Sequence, residues 1–148
     1  MSLLRSPKRS SACPCKSGST FGACCEPFLR GAEAPTSEKL MRSRFTAYAV
    51  GAASYILDTL HPDHADRSLS TEVFLAALKR ETSAVRFLDL TVEATTEDGH
   101  RATVTFTAKI MKQAVDRSFR ECSEFARTDR GWRYLRGETL PYAKETLS

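Results

Sequence analysis

The chain has 148 residues, of which 41% are hydrophobic and 27% are charged, and its formal net charge is +4. These proportions are ordinary for a soluble globular protein, and no apolar run approaches the roughly 20 residues that cross a bilayer. The modest positive excess lies near the N-terminus, where a basic tail is a simpler interpretation than a nucleic-acid interface. Residues 1–11 lack the apolar stretch of a secretory signal, so we expect a disordered arm and a cytoplasmic location.

Four of the five cysteines follow within 13 residues, as two close pairs on either side of a loop that contains glycine. Zinc takes four thiolates at tetrahedral corners, about 2.3 Å away, and two short pairs separated by a loop let a chain wrap one ion. If all four sulfurs bind, no position remains for a substrate, which makes the site structural. Residues 12–31 are therefore interpreted as a knuckle that holds one structural zinc ion through Cys13, Cys15, Cys24 and Cys25.

Three other interpretations of the cysteine cluster stay open at this point. Two disulfides would need a strained bond if the adjacent pair closed on itself, and the cell interior is reducing. A redox-active dithiol is compatible with closely spaced thiols of low pKa. Iron is also held by four thiolates, so the sequence alone does not separate it from zinc.

The segment after the cysteines has helical periodicity. Thr36 or Ser37 can cap a helix, and apolar residues then recur at spacings of three to five. Gly51 is expected to bend this helix, which ends before Pro62. Ser70 can cap a second, shorter helix, whose apolar side would be formed by Leu69, Val73, Phe74, Ala77 and Leu78.

From Val85 onward the apolar period changes to two, which is typical of strands, with Leu88 and Leu90 on the same apolar face. Asp98-Gly99 is a hairpin signal. Helices followed by an antiparallel meander predict an α+β fold, in which a curved sheet wraps around the long N-terminal helix. Strands are expected over residues 85–94, 102–110, 117–127 and 131–137.

The cysteine segment reads Cys13-Pro14-Cys15-Lys16-Ser17-Gly18, with Cys24-Cys25 following after five more residues. It resembles the SEC-C motif, the zinc knuckle at the C-terminus of the SecA translocation ATPase, where it contacts the chaperone SecB. That family usually has glycine where this chain has Lys16. The resemblance implies that the knuckle serves partner contact, and its basic flanks would suit an acidic protein partner, such as a chaperone or ribosomal surface.

The rest of the chain resembles the YchJ-like bacterial proteins, which are SEC-C motif proteins with a nuclear-transport-factor-2-like, cone-shaped α+β domain of the cystatin-like type. The resemblance implies this domain for residues 32–140, followed by a tail over residues 141–148. Because that family is largely uncharacterised, it implies no activity. The residues that carry the resemblance are Leu40 to Tyr48, His61-Pro62, Glu121-x-Ser123-x-Phe125 and Gly131-Trp132-x-Tyr134.

Glu121 needs an explanation, because the same strand face carries Phe119 and Phe125. A buried carboxylate requires a partner or a proton. A structural interpretation pairs it with Arg42 or Arg44 of the long helix. A functional interpretation makes it the acid or base of a pocket that is also lined by Arg44, Tyr48, Ser123 and Trp132.

Asp58 and His61 form a second candidate for acid–base chemistry. They lie three positions apart and would share one face of the helix. The plainer interpretation is that His61 marks the end of the helix before Pro62.

Two functions are carried forward as hypotheses. The preferred one is a non-enzymatic binding or adaptor role, with the knuckle as the contact surface. The alternative is a small-molecule enzyme or carrier that uses a pocket in the cone, with Asp58, His61 and Glu121 as candidate catalytic residues. A polar pocket that reaches Glu121 and His61 would favour the alternative, and a filled cone would exclude it. A homodimer through the exposed sheet face is expected by analogy with the fold.

Overall fold

The structure, a computed structural model, describes residues 6–143. A 3-10 turn over Phe21–Ala23 precedes four α-helices: α1 (Glu26–Leu29), α2 (Ser37–Val50), α3 (Ala53–Asp58) and α4 (Thr71–Thr82). A second 3-10 turn, Ala65–Ser68, connects α3 to α4. Five strands follow: β1 (Val85–Asp98), β2 (Arg101–Lys112), β3 (Val115–Asp116), β4 (Phe119–Thr128) and β5 (Gly131–Leu140). None of the helices within residues 6–143 is long and apolar enough to cross a membrane.

The expected long helix is divided at Gly51. Thr36 caps α2, because its hydroxyl accepts a hydrogen bond from the Lys39 backbone N–H at 3.1 Å. Gly51 ends α2 in a left-handed conformation, with φ of 79°, and its N–H bonds back to the Ala47 carbonyl. Glycine adopts this conformation without a steric penalty, so the chain turns here and α3 begins as a separate helix.

Helix α4 begins where the sequence predicts, because the Ser70 hydroxyl accepts a hydrogen bond from the Val73 N–H at 3.2 Å. Its buried side is narrower than predicted. Phe74 and Leu78 are buried, whereas Leu69 and Val73 are 44% and 53% exposed. Leu69 precedes the helix and Val73 lies in its first turn, so the predicted apolar side is fully buried only at Phe74 and Leu78.

The strands form one antiparallel sheet in the order β1-β2-β4-β5, with the short β3 paired to β2. The predicted hairpin joins β1 to β2 at Gly99, whose φ of 60° suits a tight turn. A register shift between Phe87 and Asp89 leaves Leu88 41% exposed, although strict alternation placed it beside Leu90 in the core. A bulge of this kind reverses the direction of the residues that follow it.

The core lies where the sheet curves around α2. Helix α2 contacts β1, β2 and β5, and the ring of Phe45 meets the edge of Phe87 with 5.6 Å between centroids. The mixed helix and antiparallel sheet architecture confirms the predicted α+β, nuclear-transport-factor-2-like fold. One buried cluster extends from this core into the cysteine segment, where it includes Phe21 and Leu29.

Residues 8–11 do not behave as part of a disordered arm. The Arg9 carbonyl accepts a hydrogen bond from the Gly22 N–H at 2.9 Å, and the Ser11 carbonyl accepts one from Phe21 at 2.8 Å. These residues lie along the knuckle and are held to it. The remainder of the expected arm, residues 1–5, and most of the expected tail, residues 144–148, lie outside the described residues.

Candidate functional site

The backbone of the knuckle brings its two cysteine pairs together through a tight loop. The Cys13 carbonyl accepts a hydrogen bond from the Lys16 N–H at 3.0 Å, and the Cys13 N–H donates to the Ser19 carbonyl at 2.9 Å. Lys16 and Gly18 both have positive φ, of 63° and 92°. This loop returns the chain to the second pair, which lies at the start of α1.

The four sulfur atoms have the separation expected for a shared metal ion. All four lie within 4.8 Å of one another, and Cys24 Sγ is 3.6 Å from Cys15 Sγ and 3.9 Å from Cys25 Sγ. A tetrahedron with zinc–sulfur bonds of about 2.3 Å has sulfur–sulfur edges of about 3.8 Å. No disulfide joins any of the five cysteines, and the separations of 3.6 and 3.9 Å suit a shared ion better than a sulfur–sulfur bond of about 2.0 Å. The cluster can therefore hold a metal ion.

Side chains of the domain and the loop orient these sulfurs. Thr46 of α2 donates a hydrogen bond to Cys25 Sγ at 3.3 Å and lies 3.7 Å from Cys13 Sγ. Ser17 contacts Cys24 Sγ at 3.2 Å. Contacts of this kind fix the direction of metal ligands and tune their affinity. A further contact links α2 to the first pair, because the Arg42 guanidinium donates to the Cys15 carbonyl at 3.0 Å.

The environment shifts the pKa of Cys15, Cys24 and Cys25 in different directions. Hydrogen bonds with Cys13 and then Cys25 lower the pKa of Cys15, against the effect of its burial. Hydrogen bonds with Cys13 and Cys15 raise the pKa of Cys25, and burial raises the pKa of Cys24 to about 11. Four thiolates this close together repel one another, so a divalent cation is what would stabilise all of them in the charged form.

Ion pairs of Glu26 stabilise the knuckle and hold its N-terminal residues against it. Glu26 is only 3% exposed, and its carboxylate pairs with Arg9 Nε at 2.6 Å and with Arg30 at 3.5 Å. A buried carboxylate is tolerated when it is paired and hydrogen-bonded in this way. This ion pair connects residue 9, which precedes the first cysteine pair, to α1, which follows the second pair. It therefore links the two ends of the knuckle.

The cone contains a partly open cavity of about 330 Å³ on the other side of α2. Its wall is mainly apolar and includes five phenylalanines. Polar groups reach it at a few points. Of the pocket residues predicted from the sequence, Arg44, Tyr48, Glu121 and Ser123 line it. Tyr134 and, from α4, Glu81 and Thr82 line it as well.

Glu121 lies in this cavity without an ion-pair partner among residues 6–143. Its Oε2 accepts hydrogen bonds from Ser123 and, at 3.3 Å, from the Tyr134 hydroxyl. The expected salt bridge to Arg42 or Arg44 is wrong. The absence of a side chain at Gly137 leaves room for this carboxylate, because a β-carbon there would lie 2.5 Å from Oε2 and from the Tyr134 hydroxyl.

Both arginines are used elsewhere. Arg42 pairs with Glu38 one turn earlier in α2, at 3.0 Å, and reaches the knuckle. Arg44 donates to the Ile56 carbonyl at 2.9 Å and to the Thr59 hydroxyl at 2.5 Å, which ties α2 to α3. Its guanidinium also lies over the Tyr134 ring, 4.7 Å from the centroid.

Tyr48 and Tyr134 stay neutral in this setting. Burial raises the pKa of Tyr48 above its usual value. Burial and then the Glu121 carboxylate raise the pKa of Tyr134 further. Both hydroxyls are therefore hydrogen-bond donors over the physiological range.

The remaining candidates do not join the cavity. Trp132 is 2% exposed and packs in the core, with its ring beneath the Arg127 guanidinium. Asp58 ends α3 and lines a separate open cleft of about 520 Å³ beside the linker to the knuckle. His61 lies beyond the helix, where its Nδ1 accepts from the Asp63 N–H at 3.0 Å. The expected shared helix face of Asp58 and His61 therefore does not form.

Sequence reasoning missed Thr46 and Tyr134 as parts of the two sites. Thr46 is fully buried and follows Arg42 by one helical turn, so both residues face the knuckle. A polar residue within an apolar helix face was the available signal. Tyr134 belongs to β5, and its connection to Glu121 depends on strand register that the sequence does not reveal.

Comparison with known proteins identifies both parts of the chain. Residues 36–137 match the family model of the YchJ middle NTF2-like domain, and residues 9–27 match the SEC-C motif. A UPF0225 protein of Geobacter sulfurreducens is 36% identical over 129 residues, which cover 84% of this chain and 77% of the relative. A UPF0225 protein of Ralstonia nicotianae is 34% identical over 145 residues, which cover 91% and 96%.

Solved structures agree. A SEC-C motif containing protein from Rhodopseudomonas palustris superposes with a TM-score of 0.74 at 34% identity, over 87% of this chain and 98% of that one. A SEC-C motif containing protein from Psychrobacter arcticus has the same fold, with a TM-score of 0.73 at 22% identity, over 95% and 86%. The chain belongs to the YchJ-like family, whose members join a SEC-C motif to an NTF2-like domain.

Proposed function

We propose that this protein binds one zinc ion as a structural element of its knuckle and acts as a non-enzymatic binding protein in the cytoplasm. The observation that carries the proposal is the cluster of four cysteine sulfurs within 4.8 Å of one another. Four thiolates complete a tetrahedral zinc site and leave no position for a substrate, which is the arrangement of structural sites. A reducing compartment keeps such thiols free to bind metal.

Elemental analysis of the purified protein tests the zinc assignment. We expect about one zinc per chain, since four thiolates bind one ion. A Cys24→Ser variant should lose most of the metal, and a Cys122→Ser variant, which leaves the cluster intact, should retain it. Iron in place of zinc would overturn the choice of metal, and protein without metal whose thiols titrate freely would overturn the site.

The adaptor role is supported by the outer surface of the knuckle. Residues 16–20 are exposed, and the Arg9 side chain, which lies against Gly22 and pairs with Glu26, is 76% exposed. Lys16 presents a positive charge on this rigid, metal-held loop, which would suit an acidic protein partner of the chaperone or ribosomal kind.

A capture experiment with a charge variant tests this surface. Lys16→Gly removes one positive charge and suits the left-handed backbone, whereas Lys79→Ala removes a charge from α4, far along the chain. A partner of the knuckle should be captured by wild type and Lys79→Ala protein and lost in part with Lys16→Gly. Equal capture by all three would exclude this surface. Light scattering on the same samples tests the proposed homodimer.

A second function, the carriage of a small molecule in the cone, is favoured by the cavity of about 330 Å³. Its size lies at the lower end of ligand pockets, and its apolar wall with a few polar groups has their usual composition. Asp58, His61 and Glu121 do not meet in it, so the arrangement favours binding over acid–base catalysis. Retention of a small molecule through gel filtration, detected by mass spectrometry, would test this role.

A further inference from the structure

Two opposite charges in the cone cavity lack an ion-pair partner within the part of the chain that the structure describes. On Glu121, both hydrogen bonds reach Oε2, so Oε1 is left free to accept another. On Arg44, both hydrogen bonds come from one terminal nitrogen, so Nε and the other terminal nitrogen keep their donors. Both residues line the cavity, and none of their side-chain nitrogen or oxygen atoms is both fully buried and without a hydrogen-bond partner.

These two charges contact the same tyrosine. The Arg44 guanidinium lies over the Tyr134 ring, and the Tyr134 hydroxyl donates to Glu121. The ring keeps the charges from pairing directly but holds them close enough for one small molecule to reach both. Charges at the wall of an apolar cavity are costly to leave unpaired, so a ligand that pairs with them gains more than it would at the surface.

A third polar group is also available. The Tyr48 hydroxyl has no hydrogen-bond partner among the described residues. Tyr48 follows Arg44 by one turn of α2, and both residues line the same cavity. The Tyr48 hydroxyl and the free N–H groups of Arg44 can both donate hydrogen bonds to a carboxylate. The Glu121 oxygen offers an acceptor for an ammonium group.

The rest of the cavity selects an apolar body. Its wall consists mainly of aromatic and aliphatic side chains, among them Phe45, Phe87, Phe106, Phe119 and Phe125. A volume of about 330 Å³ suits a molecule of amino-acid size and excludes a dinucleotide. Phenylalanine faces also favour a nearby ammonium group.

We propose that the cavity binds a free α-amino acid with an apolar side chain. Its ammonium group pairs with Glu121, its carboxylate pairs with Arg44 and the Tyr48 hydroxyl, and its side chain enters the phenylalanine-lined region. A simple amine would place its charge near Arg44, and a simple carboxylate would face Glu121, so the zwitterion alone satisfies both groups. This inference rests on the proposed carrier function of the cone and names its ligand class.

Isothermal titration calorimetry on the metal-loaded, full-length protein tests the proposal with probes that share one ring. The probes are L-phenylalanine, 2-phenylethylamine, which lacks the carboxylate, and 3-phenylpropanoate, which lacks the amine. L-Leucine serves as an aliphatic second amino acid. Because each charge-assisted hydrogen bond adds about 1.5–3 kcal/mol, we expect an amino acid to bind about tenfold or more tightly than either single-charge probe.

Variants assign the contacts. Glu121→Gln should weaken the amino acid about tenfold or more and leave 3-phenylpropanoate unweakened, since it removes only the charge that meets the ammonium. Tyr48→Phe should weaken the amino acid and 3-phenylpropanoate alike. Glu124→Gln is the matched control, because Glu124 lies on the same strand but pairs with Arg101 and Arg136.

The outcomes separate the two levels of the inference. If either single-charge probe binds as tightly as the amino acids, the zwitterion is overturned but the carrier function stands. If none of the four probes binds, the amino-acid ligand is overturned; the carrier function itself is overturned only if no small molecule is retained through gel filtration either. Neither result changes the zinc content of the knuckle, which is measured separately.

Discussion

Removal of the metal should destabilise the whole protein, because the knuckle and the domain share one core. Cys13, Cys15 and Cys25 are 2%, 0% and 1% exposed. Phe21 and Leu29, at 0% and 2%, belong to the same buried cluster as the apolar side of α2. If the knuckle opens without its ion, these two side chains return to water.

The size of the effect follows from this burial. Full burial of one such side chain contributes about 1.5–3 kcal/mol, so the loss of both costs about 3–6 kcal/mol as an upper bound. For a chain of this length, 1 kcal/mol lowers the midpoint of thermal unfolding by about 2–4 °C, which gives a decrease of about 6–24 °C. A domain in the middle of the ordinary range of about 5–15 kcal/mol would still fold at room temperature.

Thermal unfolding followed by far-ultraviolet circular dichroism, with and without a strong chelator, measures this decrease. Added zinc should restore the original midpoint, and Cys122→Ser protein should respond to the chelator as wild type does. The shared-core argument is refuted if elemental analysis confirms that the metal has gone while the midpoint moves by less than about 2 °C, a shift worth under about 1 kcal/mol.

Four further outcomes are expected. Lys16→Gly should raise the free energy of unfolding in urea by about 1 kcal/mol, because Lys16 has a φ of 63°, and a loss of stability would contradict this. Thr46→Val should lower zinc affinity about tenfold in competition with a coloured chelator, and an unchanged affinity would show that its hydrogen bond to the metal ligand is unimportant. Gly137→Ala should cost about 1–3 kcal/mol in the same urea experiment, since the new methyl group meets Glu121, and a neutral result would mean that this carboxylate moves freely. The pKa of Tyr134 in the folded state is raised above the usual value of 10.0, so this contribution to stability is complete below pH 10 and is lost as the pH rises further. The tyrosinate absorbance of Tyr134 should therefore develop together with unfolding. Ionisation of all tyrosines near pH 10 in folded protein would contradict this expectation.

Local signals in the sequence predict much of the fold correctly. The caps at Thr36 and Ser70 and the turn at Gly99 depend on neighbouring residues only, and the structure has each of them. The position of Leu88 could not be predicted in the same way. Its exposure results from a bulge in the pairing of β1 with β2, and that register depends on both strands.

The candidate sites show the same limit. The set of four cysteines is evident because its members lie close in sequence. The surroundings of Glu121 are only partly evident: Ser123 lies two residues along the same strand, whereas Tyr134 meets Glu121 through the pairing of β4 with β5. Charge complementarity suggested an arginine on α2 as its partner. One terminal nitrogen of Arg44 instead donates to the end of α3, where the Ile56 carbonyl and the Thr59 hydroxyl accept its hydrogen bonds.

The knuckle has consequences for the order in which the protein is made. Its four ligands and the Arg9–Glu26 ion pair lie within residues 8–30, so they are complete early in synthesis, which proceeds from the N-terminus. The apolar residues of α2, which belong to the same buried cluster as Phe21 and Leu29, are made later. An ion bound at this stage would hold both side chains in place before their partners exist. Metal supply during translation would then determine how promptly α2 finds its packing surface.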